Sequence, residues 1–339
     1  MGTPARLASV LALALAVCCG SAAADVYRAW PERWRSPLAA DHPLLGRIWS
    51  PREGQIIALA RLHAALAAAP VVLLGEVHDN PDHHRIQAWA VGAVAEGAKS
   101  GGLAVVFEQI RADQQHAVDR LAQTSAGSLS SAQLFQVLEW EETGWPSAEI
   151  YRPLFEVVIA SDAAILAGHP TRERVQAVAK AGAVALDPWE RSRLDLARPL
   201  PPTLGDSLLD ELAASHCGLM PKSALANMAE AQRYRDAHLA RAVAEAAARH
   251  DRAILIAGNG HVRRDRGVPW HLERMAPEKP VVTVALVEVE AGKDEAAAYA
   301  ESRVGWDRFA DYVVFTPPAE RADPCRRMRE HMGRKGERR

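Results

Sequence analysis

The sequence has little cysteine, almost no net charge and no internal repeat, and each absence excludes a class of protein. Beyond the N-terminal segment only Cys217 and Cys325 remain, too few and too far apart for a structural zinc knuckle. They lie in no C-x-x-C redox pattern, although export to an oxidising compartment would permit a disulfide between them. A formal net charge of -2 gives no reason to expect nucleic acid or an anionic membrane as partner. Without a repeat of fixed period, a solenoid is not supported.

What the sequence does contain is typical of a globular protein with an export signal. The 339 residues are 49% hydrophobic and 24% charged, enough for one large core or two modest ones. At the N-terminus, Arg6 precedes the uncharged run "LASVLALALAVCCGSAAA", which is short and rich in alanine for a membrane span. We predict a signal peptide over 1–24. A lipid-bearing Cys18 or Cys19 and a retained anchor helix are the alternatives.

Apolar, β-branched runs recur along the chain with helical patterns between them. They begin at residues 71 ("VVLLGE"), 103 ("LAVVFE"), 163 ("AAILAG"), 182 ("GAVAL"), 253 ("AILIAG") and 281 ("VVTVALVEV"). Near-continuous apolar strands that alternate with helices are typical of a parallel sheet covered by helices on both faces. The predicted fold class is therefore α/β with a mainly parallel sheet.

A long interruption separates the fourth and fifth of these predicted strands. It starts with the Pro-rich stretch "RPLPPTLGD" and continues with helical patterns over roughly 206–215 and 222–249. An ordinary connection between strand and helix is far shorter, so we expect a helical insertion at about 190–250 that forms a lid or subdomain. We predict one domain over 25–324, followed by a poorly ordered basic tail over 325–339.

Polar residues stand at the carboxyl ends of the predicted strands. In chain order they are Glu76, His78, Glu108, His169, Asn259 and His261. Each alone could be a helix cap or a hydrogen-bonded structural residue, but several strands that end this way favour one ligand crevice. After the first strand, Asp79, Asn80 and Pro81 predict a capped helix start, which places His83 and His84 on a helix beside the crevice.

Several blocks of the sequence resemble one known family. They are "VVLLGEVHDNPDHHRIQ" at 71–87, "FEQ" at 107–109, "GWPSAEIYRPLFE" at 144–156, "AQRYRD" at 231–236 and "IAGNGHVRRDRGVPWHL" at 256–272. Together they are similar to the ChaN-like haem-binding uptake proteins, which form a wider group with the erythromycin esterases and the TraB/Tiki proteins. The resemblance covers most of residues 42–275. It departs at "LAGHPTRE", where His169 stands in a turn expected to contain Asn, which puts carried-over substrate details in doubt.

The resemblance implies an exported or lipid-anchored protein that binds haem in iron acquisition, with two stacked haems at a dimer interface as one arrangement. Haem needs an apolar slot, an axial iron ligand and cations for its propionates. Tyr151 is the candidate ligand we single out, because ferric iron favours an anionic phenolate oxygen. Trp145 would stack on the haem and Arg152 would pair with a propionate, although Tyr151 and Trp145 also fit as core aromatics. His216 and Tyr234 are rival ligands.

A hydrolase is the second interpretation, to which the esterase and Tiki relatives point. Glu76, His78, Glu108 and His261 would activate water as a general base or hold a divalent zinc, manganese or iron ion. Neither H-E-x-x-H nor G-x-S-x-G occurs, so a helical zinc site and a serine nucleophile elbow are not indicated. A pure interaction module is a third class.

The prediction from sequence is thus an exported protein that binds haem or another iron complex, with hydrolysis as the alternative. It would be located in the periplasm or anchored by lipid to the outer membrane. A homodimer is an open expectation and no nucleic acid partner is expected.

Overall fold

The computed structural model describes residue 24 and residues 26–125, 127–220, 222–301, 309–323, 325–326 and 328–329. Apart from Ala24, the predicted signal peptide over 1–24 lies outside the described residues, as does most of the predicted tail over 325–339. No helix within these described ranges is long and apolar enough to cross a membrane.

A single sheet of eight strands organises the described residues. The strands are β1 (Ile48–Ser50), β2 (Gln55–Ile57), β3 (Val71–Leu74), β4 (Leu103–Arg111), β5 (Ala164–His169), β6 (Arg252–Ile256), β7 (Val281–Glu288) and β8 (Tyr312–Thr316). Their spatial order is β2-β1-β8-β7-β3-β6-β4-β5. From β8 to β5 neighbouring strands are parallel, whereas β1 pairs antiparallel with both β2 and β8. The predicted α/β class with a mainly parallel sheet is confirmed.

Helices cover both faces of the sheet. They are α1 (Leu59–Ala68), α2 (Pro81–Glu96), α3 (Gln115–Thr124), α4 (Ser131–Val137), α5 (Trp140–Thr143), α6 (Ala148–Ala160), α7 (Arg172–Ala181), α8 (Pro188–Arg193), α9 (Pro202–Ser215), α10 (Lys222–Arg249), α11 (Val268–Met275) and α12 (Ala296–Glu301). Side chains alternate along a strand, so Val72 and Leu74 pack with α2 and α6 on one face, while Val71 and Leu73 pack with α10 and α11 on the other. The site lies at the carboxyl ends of the strands between these two layers.

The strand predicted at "GAVAL" is wrong. This segment is a short 3-10 helix, Gly182–Ala185, that follows α7. Gly182 has φ +75°, a value that favours glycine and ends the helix, and Val184 is 76% exposed rather than paired in a sheet. Between β5 and β6 the chain is therefore helical, and the helices predicted over roughly 206–215 and 222–249 correspond to α9 and α10.

A disulfide joins this helical segment to the end of the chain. Cys217 lies in the turn after α9, and its Cα is 5.6 Å from that of Cys325, beyond β8. The pairing that the sequence left open is thus present. Because the two cysteines are 108 residues apart in sequence, the bond ties the turn after α9 to a segment distant in the chain.

Candidate functional site

A pocket of about 640 Å³ opens between the carboxyl ends of the strands and the helices α9 and α10. The sequence predicted that four strand-end side chains share one hollow, and all four line this pocket: Glu76, His78, Glu108 and His261. The helices add an apolar patch to its wall, between polar residues such as Glu211 and Gln232; the patch consists of Val175, Ala179, Leu208, Leu212, Met228 and Ala231. The pocket therefore combines an ionisable floor with an apolar patch, the usual composition of a ligand site.

Glu76, directly after β3, is the buried centre of one half of the floor. Its carboxylate accepts hydrogen bonds from His78 Nδ1 (2.7 Å), Gln87 Nε2 (2.9 Å), Gln109 Nε2 (2.8 Å) and the Tyr151 hydroxyl (2.9 Å). Burial alone would raise the pKa of Glu76, but the charges of His84 and His78 and their hydrogen bonds outweigh it and place the pKa well below its ordinary value. Glu76 is consequently ionised, and both of its carboxylate oxygens already accept hydrogen bonds.

His261, after β6, lies between two buried carboxylates. Its Nδ1 is 2.6 Å from Asp236 Oδ1 and its Nε2 is 3.1 Å from Glu108 Oε1. Burial disfavours the charged ring, yet Glu108 and then Asp236 raise the pKa of His261 to about 10. Burial raises the pKa of Asp236 as well, with the His261 charge opposing it. Since a carboxylate only accepts hydrogen bonds, both ring nitrogens donate, and His261 is an imidazolium at neutral pH.

The ring of His78 is the part of the floor that is exposed to the pocket. Its side chain is 35% exposed, and its ring lies edge-on to Trp145 with 4.8 Å between centroids. Burial lowers the pKa of His78, but the charge of Glu108 and the hydrogen bond to Glu76 outweigh burial, and the net pKa is raised. The backbone comes close here: a Cβ added at Gly258 would lie 3.0 Å from His78 Nε2. His78 therefore faces the pocket with its charged form favoured by the two carboxylates.

Two predicted crevice histidines are structural and do not line the pocket. His83 accepts the Val77 amide at Nδ1 (2.8 Å) and contacts the Thr316 hydroxyl through Nε2 (2.8 Å). Burial lowers the pKa of His83 to about 3, so the ring is neutral. His84 contacts the His78 carbonyl at 3.0 Å and thus supports the loop rather than a ligand. As predicted, both lie on α2, which begins with an Asn80 cap and Pro81.

Asn259 and His169, the other predicted crevice residues, differ in position. Asn259 lines the pocket, but its side chain pairs with the backbone of Leu286 and holds the end of β7. A Cβ at Gly75 would lie 2.2 Å from Asn259 Oδ1, so only glycine permits this approach. His169 contacts the Pro170 carbonyl at 2.7 Å, and burial lowers its pKa to about 4. It borders a smaller neighbouring cavity instead.

Tyr151, singled out from the sequence as the iron ligand, does not line the pocket. It is fully buried on the inner face of α6 with Leu154, Phe155 and Val158, which follow it at helical spacing. Its hydroxyl donates to Glu76, and burial together with that carboxylate raises the pKa of Tyr151 well above its ordinary value. A phenolate ligand is therefore disfavoured in this arrangement.

Three further haem candidates from the sequence also lie away from the pocket wall. Arg152 lies on the outer side of α6, where it pairs with Glu149, and does not face the pocket. Tyr234 is buried and donates to Glu190 at 2.9 Å. Trp145 packs on His78 and borders the smaller cavity, while its indole N–H donates to a backbone carbonyl.

His216 is the haem candidate that does line the pocket. It caps the C-terminus of α9 and precedes the disulfide-bonded Cys217. Its Nδ1 is 2.7 Å from the Leu212 carbonyl, which can only accept, so Nδ1 donates and Nε2 is the ring nitrogen that this contact does not use. A backbone carbonyl that orients one ring nitrogen is the usual support for an imidazole that binds a metal through the other.

The four strand-end residues do not form the divalent metal site that the sequence suggested as one use for them. No three or more His, Cys, Asp or Glu side chains within the described part of the chain are arranged to hold a metal ion. The reason is visible in their contacts, because Glu76, His78, Glu108 and His261 direct their nitrogen and oxygen atoms at one another. A divalent cation at these residues is not supported.

Sequence reasoning missed three residues of the site: Gln109, Arg235 and Asp236. Gln109 donates to Glu76, Asp236 holds His261, and Arg235 lines the pocket. All three stand in blocks that carried the family resemblance, "FEQ" and "AQRYRD". Their place in these blocks was the signal in the sequence that could have identified them. The contact between α10 and the loop after β6 could be recognised only from the three-dimensional packing.

A family model and a solved structure are similar to this chain. The family model for haem-binding uptake proteins of the Tiki superfamily, ChaN, matches residues 62–272. The solved structure of ChaN of Campylobacter jejuni, which describes cofacial heme binding, aligns with this chain at a TM-score of 0.60 and 22% identity. The alignment covers 79% of this chain and 95% of that chain. The type III effector HopBA1 aligns at a TM-score of 0.38 and 12% identity, over 82% of this chain and 99% of that chain. A comparison with curated protein sequences gives no significant match.

The family match spans more than half of the chain and includes the whole ionisable floor of the pocket. The Campylobacter jejuni structure shares the fold over nearly all of its own length. The resemblance inferred from sequence blocks is thus confirmed. The chain belongs to the ChaN family of haem-binding uptake proteins, within the Tiki superfamily.

Proposed function

We propose that the protein binds haem in the pocket between the strand ends and helices α9 and α10, and that it serves haem uptake. Family membership supports haem as the ligand. A volume of about 640 Å³ suits a flat cofactor of this size, since ligand pockets commonly hold about 300–1,000 Å³. The apolar patch would cover one face of the macrocycle, which otherwise exposes a large hydrophobic area to water.

The contacts of three histidines support the choice of iron ligand. His78, His216 and His261 line the pocket. Buried carboxylates raise the pKa of His78 and of His261, which disfavours a free lone pair on either ring. The Nδ1–H of His216 donates to the Leu212 carbonyl, and this contact leaves Nε2 as the ring nitrogen that would bind iron. We therefore propose His216 as the axial ligand, in place of the Tyr151 expected from the sequence.

A hemin titration tests this proposal. Purified protein should give a saturable shift of the Soret band, and His216→Ala should weaken binding and change the spectrum of the bound iron. His116→Ala is a matched control, because His116 is exposed on α3 and lines neither the pocket nor the cavity beside it. A wild-type protein without any saturable Soret shift would remove haem binding. A His216→Ala spectrum identical to wild type would remove only the ligand assignment.

Hydrolysis is a second candidate, favoured by the ionisable network that reaches the pocket at His78. A general base needs a neutral ring, and the raised pKa values of His78 and His261 oppose this at neutral pH. Any hydrolysis by this floor should thus increase as pH rises. Turnover of a p-nitrophenyl ester that grows between pH 7 and pH 10 and disappears in His78→Ala supports it. Turnover that is absent, or unchanged in that variant, contradicts it.

Export to an oxidising compartment is part of the proposal. Disulfides persist in such compartments and are rare in the reducing cytosol, so the Cys217–Cys325 bond supports it. The chain would reside in the periplasm or be anchored by lipid to the outer membrane. Mass spectrometry of the native protein distinguishes cleavage before Asp25, a lipid on Cys18 or Cys19, and an intact N-terminus, of which the last contradicts export through a cleaved signal.

A haem-linked homodimer is proposed by analogy with the Campylobacter jejuni protein, whose structure is described by cofacial heme binding. Two haems stacked face to face would join two protomers at the mouths of their pockets. Light scattering of the protein with and without hemin tests this, with a doubling of mass on addition of hemin as the expected result. An unchanged monomer at saturating hemin contradicts it.

A further inference from the structure

A smaller cavity of about 160 Å³ opens beside the haem pocket at the carboxyl ends of β4 and β5. It shares Glu108, Val175 and Arg235 with the large pocket, so the two spaces are neighbours separated by these side chains. Two more arginines border it, Arg111 and Arg172. The volume is too small for a porphyrin ring but suits short polar substituents. We call this space the side cavity.

Two of the three arginines in the side cavity have no carboxylate partner among the described residues. Arg235 donates to the Gln232 side-chain oxygen, whereas its Nε is buried without a hydrogen-bond partner in the structure. Arg172 makes one long contact, 3.3 Å, to the Thr143 carbonyl. A buried guanidinium nitrogen without an acceptor is costly, so an acceptor supplied by a ligand would stabilise it.

The other ionisable groups around the side cavity leave its charge positive. Arg111 is held by Asp113, two residues away, through paired hydrogen bonds. Glu108 contributes a negative charge, but its oxygens already accept from His261 and the Gly258 amide. His169 is neutral at neutral pH, since burial lowers its pKa to about 4. The charges of Arg172 and Arg235 thus remain unmatched.

We propose that the side cavity binds carboxylate groups through Arg172 and Arg235. This rests on the proposed haem function, because the carboxylates we assign to it are the haem propionates. A guanidinium binds a carboxylate through two parallel hydrogen bonds, a geometry that lysine cannot supply. Arg235 lies on the wall common to both spaces, where it would fix the propionate edge and hence the in-plane orientation of the ring. Arg152, expected from the sequence to take this role, lies elsewhere.

Hemin and its dimethyl ester, which lacks the propionate charges, test the proposal without altering the protein. Wild-type protein should bind hemin at least about tenfold more tightly than the ester, the effect of one lost charge-assisted hydrogen bond. Arg235→Gln and Arg172→Gln should each weaken hemin binding by a larger factor than ester binding, and a saturable ester titration verifies that the variants fold. Arg249→Gln is the matched control, since Arg249 is exposed at the far end of the same helix as Arg235.

Three outcomes overturn parts of the inference separately. Equal affinity for hemin and the ester, with a normal Soret shift, overturns the propionate assignment and leaves haem binding intact. Absence of a saturable Soret shift with either probe removes the proposed function itself. Calorimetric binding of succinate that is lost in Arg235→Gln, with hemin and ester bound equally, would assign the side cavity to a free dicarboxylate and overturn the propionate assignment.

Discussion

The buried imidazolium of His261 predicts that the protein loses stability as pH rises above neutrality. Its pKa in the folded protein is about 10, against an ordinary value of 6.5. The folded state therefore keeps a proton that the unfolded chain releases, and this stabilisation is complete below pH 6.5 and is lost as pH rises to about 10. Within that window each pH unit removes about 1.4 kcal/mol. The raised pKa of His78 acts in the same direction.

Replacing Asp236 by Asn tests this account while keeping an oxygen that accepts from His261 Nδ1. One opposite charge at such a distance shifts a pKa by about 1–3 units, so the variant should lose roughly 1–4 kcal/mol of unfolding free energy at pH 7. Because the pKa of His261 falls, stability should stop declining at a lower pH than in wild type. Urea unfolding followed by circular dichroism from pH 6 to pH 9.5 measures both effects.

His83→Asn is the control for this series. The ring of His83 is neutral in the folded protein above about pH 3 and in the unfolded chain above about pH 7.5, so the variant changes overall stability without changing its dependence on pH between about pH 7.5 and pH 9.5. The reasoning is refuted if wild-type unfolding free energy is constant between pH 7 and pH 9. It is refuted equally if Asp236→Asn declines with the same slope over the same interval as wild type.

Two further predictions concern Tyr151 and the disulfide. Tyr151→Phe should lower the unfolding free energy by about 2 kcal/mol, because Glu76 loses a hydrogen bond, while the hemin-induced Soret shift remains; loss of that shift would return Tyr151 to the role of ligand. The double variant Cys217→Ser and Cys325→Ser should reduce unfolding free energy by about 2–5 kcal/mol and weaken hemin binding, because the turn next to the proposed ligand is released. Unchanged hemin affinity in a titration of that variant contradicts the second expectation.

The parallel sheet could be predicted because its strands are buried on both faces and therefore read as continuous apolar runs. The same criterion failed at "GAVAL", where alanine-rich composition does not distinguish a strand from a helical turn. It also missed β8, a buried run of five residues, as well as β1 and β2, which have three residues each and lie at an edge of the sheet. Short edge strands bury too little apolar surface to leave a periodic signal.

The floor of the site could be predicted because topology alone brings the carboxyl ends of parallel strands together. Glu76, Glu108 and His261 needed no knowledge of helix packing. The ligand role of Tyr151 stays a prediction, but its burial could have been predicted, since Leu154 and Phe155 at helical spacing indicate a core-facing stripe. Residues on α10 such as Asp236 could not be placed, because the sequence does not state where a long helix crosses the strand ends.

A pulsed electron paramagnetic resonance spectrum of the ferric hemin complex, prepared with ¹⁵N-labelled histidine, identifies the axial ligand of the iron. We expect a histidine nitrogen coupled to the iron in wild type and in His116→Ala, and its loss in His216→Ala. A coupling that persists in His216→Ala, or a wild-type complex without any histidine nitrogen at the iron, would contradict the assignment of His216.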